Sequence, residues 1–372
     1  MVRAIGTTGT VIPAEVCWCW RKRWTMTAER EIIAAIRARA PRFRGGLRIG
    51  IGDDCAVLQP KPGHELVVTT DMVLEGRHFR REWHSPESVG HRCMARGLSD
   101  IAAMGATPLA VFLSIAVPAA LAEPGRGQGS GKPSWIDRFT DGLLALAMEH
   151  KVTLAGGDTA ESPGGVLTDI VVLGEAPKGE ALLRSGAKAG DVIYVTGALG
   201  GSAAELAALE RSPRWRAEAR GLAKAEDGMH PQLFPQPRIA AGLTLRRRGL
   251  AKAAIDVSDG LSTDLDHLCE ESKLRAEVDA AALPVHPLAM QAEQRGWAPS
   301  ALKLALNGGE DYELLFTVRP ETRVPKQIAG VPVQAIGRML PANALKPRMM
   351  LRNADGSTEP LAAKGWEHFR KG

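Results

Sequence analysis

The stretch that decides the fold is Ala253-Ala254-Ile255-Asp256-Val257-Ser258-Asp259-Gly260-Leu261, which runs on to Ser272. Ala253 to Val257 is an apolar run of strand length, the acidic turn closes on Gly260, and Leu261 to Ser272 carries helical spacing. A strand that passes through a glycine turn into a helix is the building unit of an α/β protein.

The same alternation continues in both directions. Upstream, Leu66 to Thr70 and Leu109 to Val117 read as strands, with a helix from Pro86 to Met104 between them. Glu123 to Pro133, rich in Gly, Ser and Pro, reads as a surface loop. Trp135 to His150 reads as an amphipathic helix, and Val152 to Ala155 and Val166 to Leu173 as strands. A second unit starts near Pro177: a strand from Asp191 to Thr196, a glycine-rich turn over 197–201, a helix from Ser202 and a strand from Glu313 to Val318. The expected architecture is mixed α/β in two halves.

Residues 1–25 show neither helical nor strand period and read as an extension that is disordered or not translated. At Met26 the pattern changes. Thr27 is a helix cap with Glu29 and Glu31 in the first turn, and Ile32, Ile33 and Ile36 form the expected buried side. The domain reading is therefore an extension over 1–25, a first domain over 26–176 and a second over 177–372.

The 372 residues suffice for two domains, and an apolar share of 45% is that of a globular chain. The net charge of +5 is scattered, without the basic, aromatic-interleaved patch that single-stranded nucleic acid requires, so no nucleic-acid partner is expected. The five cysteines, Cys17, Cys19, Cys55, Cys93 and Cys269, form no C-x-x-C pair, which fits a reducing cytoplasm. No apolar run approaches the ~20 residues of a membrane span, so neither crossing nor anchoring is expected.

The chemistry is carried by acidic residues where strands are expected to end. They are Asp53 and Asp54 after Gly50-Ile51-Gly52, Asp71 after Thr69-Thr70, Asp158 after Gly156-Gly157, and Asp256 and Asp259, with Asp100 added from a helix. Each alone has a plain local reading, because Asp and Gly serve turns in any protein. Together they converge on one sheet edge, where α/β domains bind ligands. Carboxylates gathered there repel one another unless cations lie between them, and oxygen ligands spread over several segments suit Mg2+ bridging to phosphates. They do not suit zinc, for which no His/Cys cluster is spaced. Gly156-Gly157, Gly308-Gly309 and the 197–201 turn would let backbone N–H groups approach phosphate oxygens. Gly129-Ser130-Gly131-Lys132 imitates the end of a P-loop, but Arg126 and Pro133 break the required pattern.

Seven segments carry a resemblance: GIGDDCAVL from Gly50, TTDMVLEGRHF from Thr69, LSDIAAMGATP from Leu98, LAGGDTAES from Leu154, LLRSGAKAGDVIYVTG from Leu182, AIDVSDGLSTDL from Ala254 and NGGEDYELLFTV from Asn307. In this order they resemble the thiamine-monophosphate kinase family, within the superfamily of aminoimidazole ribonucleotide synthetase. The resemblance implies a two-domain aminoimidazole ribonucleotide synthetase-like fold, with an N-terminal domain that forms a homodimer and a C-terminal domain closing over the nucleotide. It implies ATP as phosphoryl donor, several Mg2+ ions and thiamine monophosphate as acceptor.

By motif match, the resemblance makes Asp54, Thr69, Thr70, Asp71, Asp100, Asp158, Asp256 and Asp259 magnesium ligands. Gly157, Asp158, Arg184 and Ser258 become nucleotide contacts, His78, Glu310 and Trp366 acceptor contacts, and Asp71, Asp100, Asp158 and Arg184 the catalytic set. Each has a bland rival: His78 as an ordinary histidine, Trp366 as an anchor of the C-terminus, Arg184 in a surface ion pair. Two other functions stay open at this point, a different ATP-using synthetase of the same superfamily and a nucleotide-binding partner without turnover. The selenophosphate synthetase and hydrogenase-maturation branches lack their cysteine signatures here. The acceptor phosphate is already ionised, so the resemblance implies in-line transfer without a strong base, which matches a site with no Ser-His-Asp set.

Overall fold

The computed structural model describes residues 29–41, 43, 46–123, 133–226 and 228–367. The extension over 1–25, Thr27 and the Gly129–Lys132 segment lie outside them. The first domain runs α1 (Glu29–Arg39), β1 (Leu47–Ile49), β2 (Val57–Leu58), β3 (His64–Leu74), α2 (Pro86–Ala103), β4 (Thr107–Val117), α3 (Ala119–Ala122), α4 (Trp135–Glu149), β5 (Thr153–Glu161) and β6 (Leu167–Pro177). The second runs β7 (Val192–Thr196), α5 (Gly201–Arg211), α6 (Pro213–Ala219), α7 (Ile239–Arg247), β8 (Ala253–Asp256), α8 (Leu261–Ser272), β9 (Arg275–Asp279), α9 (Pro287–Gln294), α10 (Ala301–Asn307), β10 (Leu314–Val318), β11 (Gln327–Ile328), β12 (Val331–Leu340), β13 (Met349–Arg352) and β14 (Thr358–Pro360).

Every strand–helix alternation read from the described sequence is present, with two differences that bear on function. Asp71 lies inside β3 and Asp158 inside β5, not at strand ends. Their strands run on because neighbours pair with them: β3 with β6 from His64 to Leu74, and β5 with β4 through Glu161. In α1, Ile32 and Ile36 pack on the core, whereas Ile33 is exposed.

The first domain's sheet has the order β3-β6-β4-β5, antiparallel except for the parallel β4/β5 pair. One face is covered by α2. This helix starts cleanly: Ser85 accepts the Ser88 N–H at 3.2 Å, and Pro86 occupies its first turn. It packs so tightly on α4 that a Cβ at Gly90 would stand 1.9 Å from the Phe139 carbonyl oxygen. No larger residue fits there without separating the helices.

The second domain's mixed sheet has the main order β14-β13-β9-β12-β7-β10-β8. Its two faces belong to different cores. Ala254, Leu314 and Phe316 join the cluster that also holds Val73, Met94 and Leu98, so α2 is buried between the two domains' sheets. Ile193, Val195, Ile255 and Leu315 face the other way, onto Leu261, Leu265 and Leu268 of α8. Against α2, helix α7 makes the close approach: a Cβ at Gly242 would lie 1.9 Å from the Ala102 carbonyl oxygen. The outward face of the first sheet is different. Leu66, Val68 and Met72 stand on β3 at 45%, 60% and 47% exposure, an apolar strip that no described part of the chain covers.

Candidate active site

Strand and helix periods decide which acidic groups meet. Successive side chains of β3 point to opposite faces, so Thr69 and Asp71 turn toward α2 while Thr70 turns away. On α2, Arg92, Arg96 and Asp100 recur every four residues and share one face. At the end of β8, Asp256 points at the same place from the second domain.

The contacts follow. The Thr69 hydroxyl donates to Asp100, and Ser99 donates to Asp256 at 2.6 Å. Arg96 reaches Asp71 at 3.2 Å. Burial pushes the Asp71 carboxyl up to about 6, with Asp100 adding to the rise and Arg96 opposing it. Burial first, and then the charge of Asp100, push Asp256 up to about 7. Asp100 is raised by burial too, against the Thr69 hydrogen bond and the positive charge of Arg184. Three carboxyls brought together in a buried place resist ionising at once, and a cation among them would favour their charged forms.

The expected metal set is nevertheless divided by the sheet. Thr70 bonds Asp169 at 2.9 Å on the outward face, and the strand register places Asp158 on that face beside Ser114 and Asp169. Asp54 is exposed in the β1–β2 connection, where its N–H donates to Asp53 at 3.0 Å. The side chains of Thr70, Asp158 and Asp54 are thus not gathered with Asp71, Asp100 and Asp256, because the pleat sends the first two to the outward face and Asp54 lies in a connection between strands. Among the described residues, no three His, Cys, Asp or Glu side chains close to a ready-made metal cage. The donor set still fits Mg2+, which keeps several waters and asks the protein for one or two carboxylates besides substrate phosphate.

The nucleotide-type residues sit on a loop held from inside. Asp264 accepts the N–H groups of Ser258, Asp259 and Gly260 at 3.0, 3.2 and 3.0 Å. The loop is therefore shaped by a carboxylate one turn into α8, and those N–H groups are occupied. The 197–201 turn is likewise taken: Asp311 accepts from Gly200 at 2.7 Å and Ser202 at 3.2 Å at the start of α5. The expected phosphate role for that turn is replaced by an internal cap. Gly157, at φ +150, has the Leu113 carbonyl oxygen 1.8 Å from where a Cβ would be, so close strand packing already demands glycine. Arg184 is exposed, and its charge acts on both Asp100 and Asp256.

The acceptor-type residues are neighbours. Glu310 takes a positive φ of 66, and its N–H donates to the Ser258 carbonyl at 2.7 Å. Its carboxylate receives Arg92 at 2.8 and 3.0 Å, Gln232 at 3.0 Å and Arg96 at 3.2 Å. Burial alone would raise this carboxyl, but the two arginines outweigh it and hold it at about 2. Arg92 also donates to the His78 carbonyl at 2.9 Å, joining His78 to Glu310. The His78 ring accepts the Leu74 N–H at Nδ1, 3.0 Å away, which leaves its proton on Nε2. Trp366 is half exposed and its backbone N–H donates to the Asp259 carbonyl at 2.9 Å, bringing the C-terminal segment to the Ser258 loop. Sequence reading missed Arg92, Arg96, Ser99, Asp264 and Asp311. The four-residue spacing of Arg92, Arg96 and Asp100 was a usable signal for the first two.

This two-domain fold, with its carboxylates shared across the domain boundary, is that of the AIR synthase related proteins. The model of their N-terminal domain matches residues 52–176 and that of their C-terminal domain residues 188–349. Within that class the chain belongs to the thiamine-monophosphate kinase family. It is 38% identical to the thiamine-monophosphate kinase of Salmonella typhimurium over 92% of this chain and 98% of that protein. The crystal structure of thiamine-monophosphate kinase from Stenotrophomonas maltophilia K279a is 35% identical with a TM-score of 0.71, covering 90% of this chain and 98% of that one. AaThiL complexed with AMPPCP and TMP is 29% identical with a TM-score of 0.66, over 86% of this chain and 92% of that one.

Proposed function

We propose that this protein transfers the terminal phosphoryl group of ATP to the phosphate of thiamine monophosphate, forming thiamine diphosphate. The observation that carries this reading is the meeting of Asp71 and Asp100 from one domain with Asp256 from the other, beside an acceptor-type group of His78 and Glu310. Relatives named for this activity, and a relative bound to an ATP analogue and TMP, support it.

Asp71, Asp100 and Asp256, with Thr69 beside them, would hold Mg2+ in the shared site, while Asp54, Thr70 and Asp158, which lie apart from it, and Asp259 would serve further Mg2+ ions brought in with the substrates. When bound, Mg2+ supplies charge neutralisation and in-line alignment of the two phosphates. Of the proposed catalytic set, Asp71, Asp100 and Arg184 would act at this site and Asp158 from the outward face of the sheet. Arg184 contributes a fixed positive charge, Gly157, Asp158 and Ser258 position the nucleotide, and Trp366 and Glu310 offer an aromatic face and a carboxylate to the cationic thiazolium and the aminopyrimidine. No protein base is required, because the attacking phosphate oxygen is already ionised.

The exposed Leu66, Val68 and Met72 strip supports pairing of two copies through the first domain. Among the described residues no helix is long and apolar enough to cross a membrane. With Cys55, Cys93 and Cys269 unpaired, a cytoplasmic setting suits the reading. The test is incubation with ATP, Mg2+ and either thiamine monophosphate or thiamine, with products identified by mass. Thiamine diphosphate from the first and no phosphorylated product from the second is expected; comparable turnover of thiamine would overturn the reading.

A further inference from the structure

Arg96 bridges the two domains inside the site. Its guanidinium spans the two parts of the site: Nη2 lies 3.2 Å from Asp71 Oδ1, and Nη1 lies 3.2 Å from Glu310 Oε1 and 3.3 Å from the Tyr312 hydroxyl. These are long for charge-assisted bonds, which settle at about 2.7–2.9 Å. Its Nε is enclosed and has no hydrogen-bond partner. Without Arg96, Glu310 would still keep its closer hydrogen bonds, at 2.8–3.0 Å from Arg92 and Gln232. Arg96 is thus a cation with three long contacts from its two Nη atoms and an unused Nε, between the carboxylate of the metal-type site and that of the acceptor-type site.

A phosphate is a better partner than either. Its oxygens match the planar fork of a guanidinium, and its charge exceeds that of a carboxylate. The acceptor carries a phosphate that must lie between its ring site at Glu310 and the reacting centre at Asp71, which is where Arg96 stands. We propose that Arg96 binds the phosphate of the acceptor and so selects the phosphorylated form over the free alcohol. This rests on the proposed function, which supplies the phosphate-bearing acceptor. Arg96 leaves its weak contacts to Asp71 and Glu310 for that phosphate, while Arg92 keeps Glu310 in place.

The test is calorimetric binding of thiamine monophosphate and of thiamine, at fixed Mg2+ and without ATP, to the full chain and to its Arg96→Met and Arg96→Lys variants, each checked by melting temperature. Arg96→Met is expected to weaken thiamine monophosphate binding by about tenfold or more while thiamine binding stays within about twofold. Arg96→Lys should restore part of the difference, because it returns the charge without the fork. Equal weakening of both ligands, or a change in Mg2+ affinity alone, would overturn the assignment and leave Arg96 a structural counter-ion. Should Arg96→Met fail to fold, Arg96→Lys decides, since a phosphate contact predicts a selective loss there too. An unaltered chain that binds neither ligand would bring down the proposed function and Arg96's role with it. An unaltered chain that discriminates, with variants that still do, would bring down only the role.

Discussion

Ser99 of α2 donates a 2.6 Å hydrogen bond to Asp256 at the end of β8, joining the two domains at a buried carboxyl that is pushed up to about 7. The elevation makes stability depend on pH. Folded Asp256 keeps a proton well above its ordinary value of 3.8, so the stabilisation is fully present below about pH 4 and is lost as pH rises through about 7.

In metal-free buffer, therefore, Asp256→Asn should melt at a higher temperature than the unaltered protein at pH 8. That advantage should shrink steadily toward pH 4. Mg2+ at pH 8 should raise the melting temperature of the unaltered protein more than that of the variant. An advantage that stays constant with pH would show that the carboxyl experiences no such elevation.

Asp71→Asn should retain the fold, since Asn fills the same space and still accepts from Arg96. Its turnover should fall by about 10²–10³, the order seen when one transition-state charge contact is removed. Steady-state rates against Mg2+ concentration, beside circular dichroism, would check this. Near-normal turnover with unchanged Mg2+ dependence would rule out a metal-binding role.

Glu310 presents the opposite sign. Its carboxyl is held at about 2, so its stabilising effect is present above its ordinary 4.5 and is lost as pH falls toward about 2. Glu310→Ala should cost on the order of 3 kcal/mol at pH 7, because it strands the buried Arg92 guanidinium. Urea unfolding of the double variant Arg92→Met/Glu310→Ala should recover part of that loss; a double variant no more stable than the single would argue against the pair.

Val68, 60% exposed on the outward strip of β3, tests the pairing of two copies. Val68→Asp should leave the monomer folded and move its mass by light scattering from twice the chain to once. An unchanged dimer would place the contact elsewhere.

The strands and helices were legible because they depend on neighbours a few residues away. Val67 and Val73 alternate with outward residues along β3, Ser85-Pro86 opens α2, and Gly260 ends the acidic turn before α8. The ordered motifs also carried the family and the residues from which the site is proposed. What they could not convey was which acidic residues meet. Thr69 and Thr70 are adjacent in sequence, yet the pleat sends one to Asp100 and the other to Asp169. Arg92 and Arg96 meet Glu310, and Ser99 meets Asp256, across more than 100 residues of chain. Those meetings exist only because Gly242 allows α7 to close on α2 and because α2 is buried between two sheets. Local conformation is a property of short stretches. Charge pairing and the carboxyl shifts it causes depend on distance in space, which the packing of whole elements alone decides.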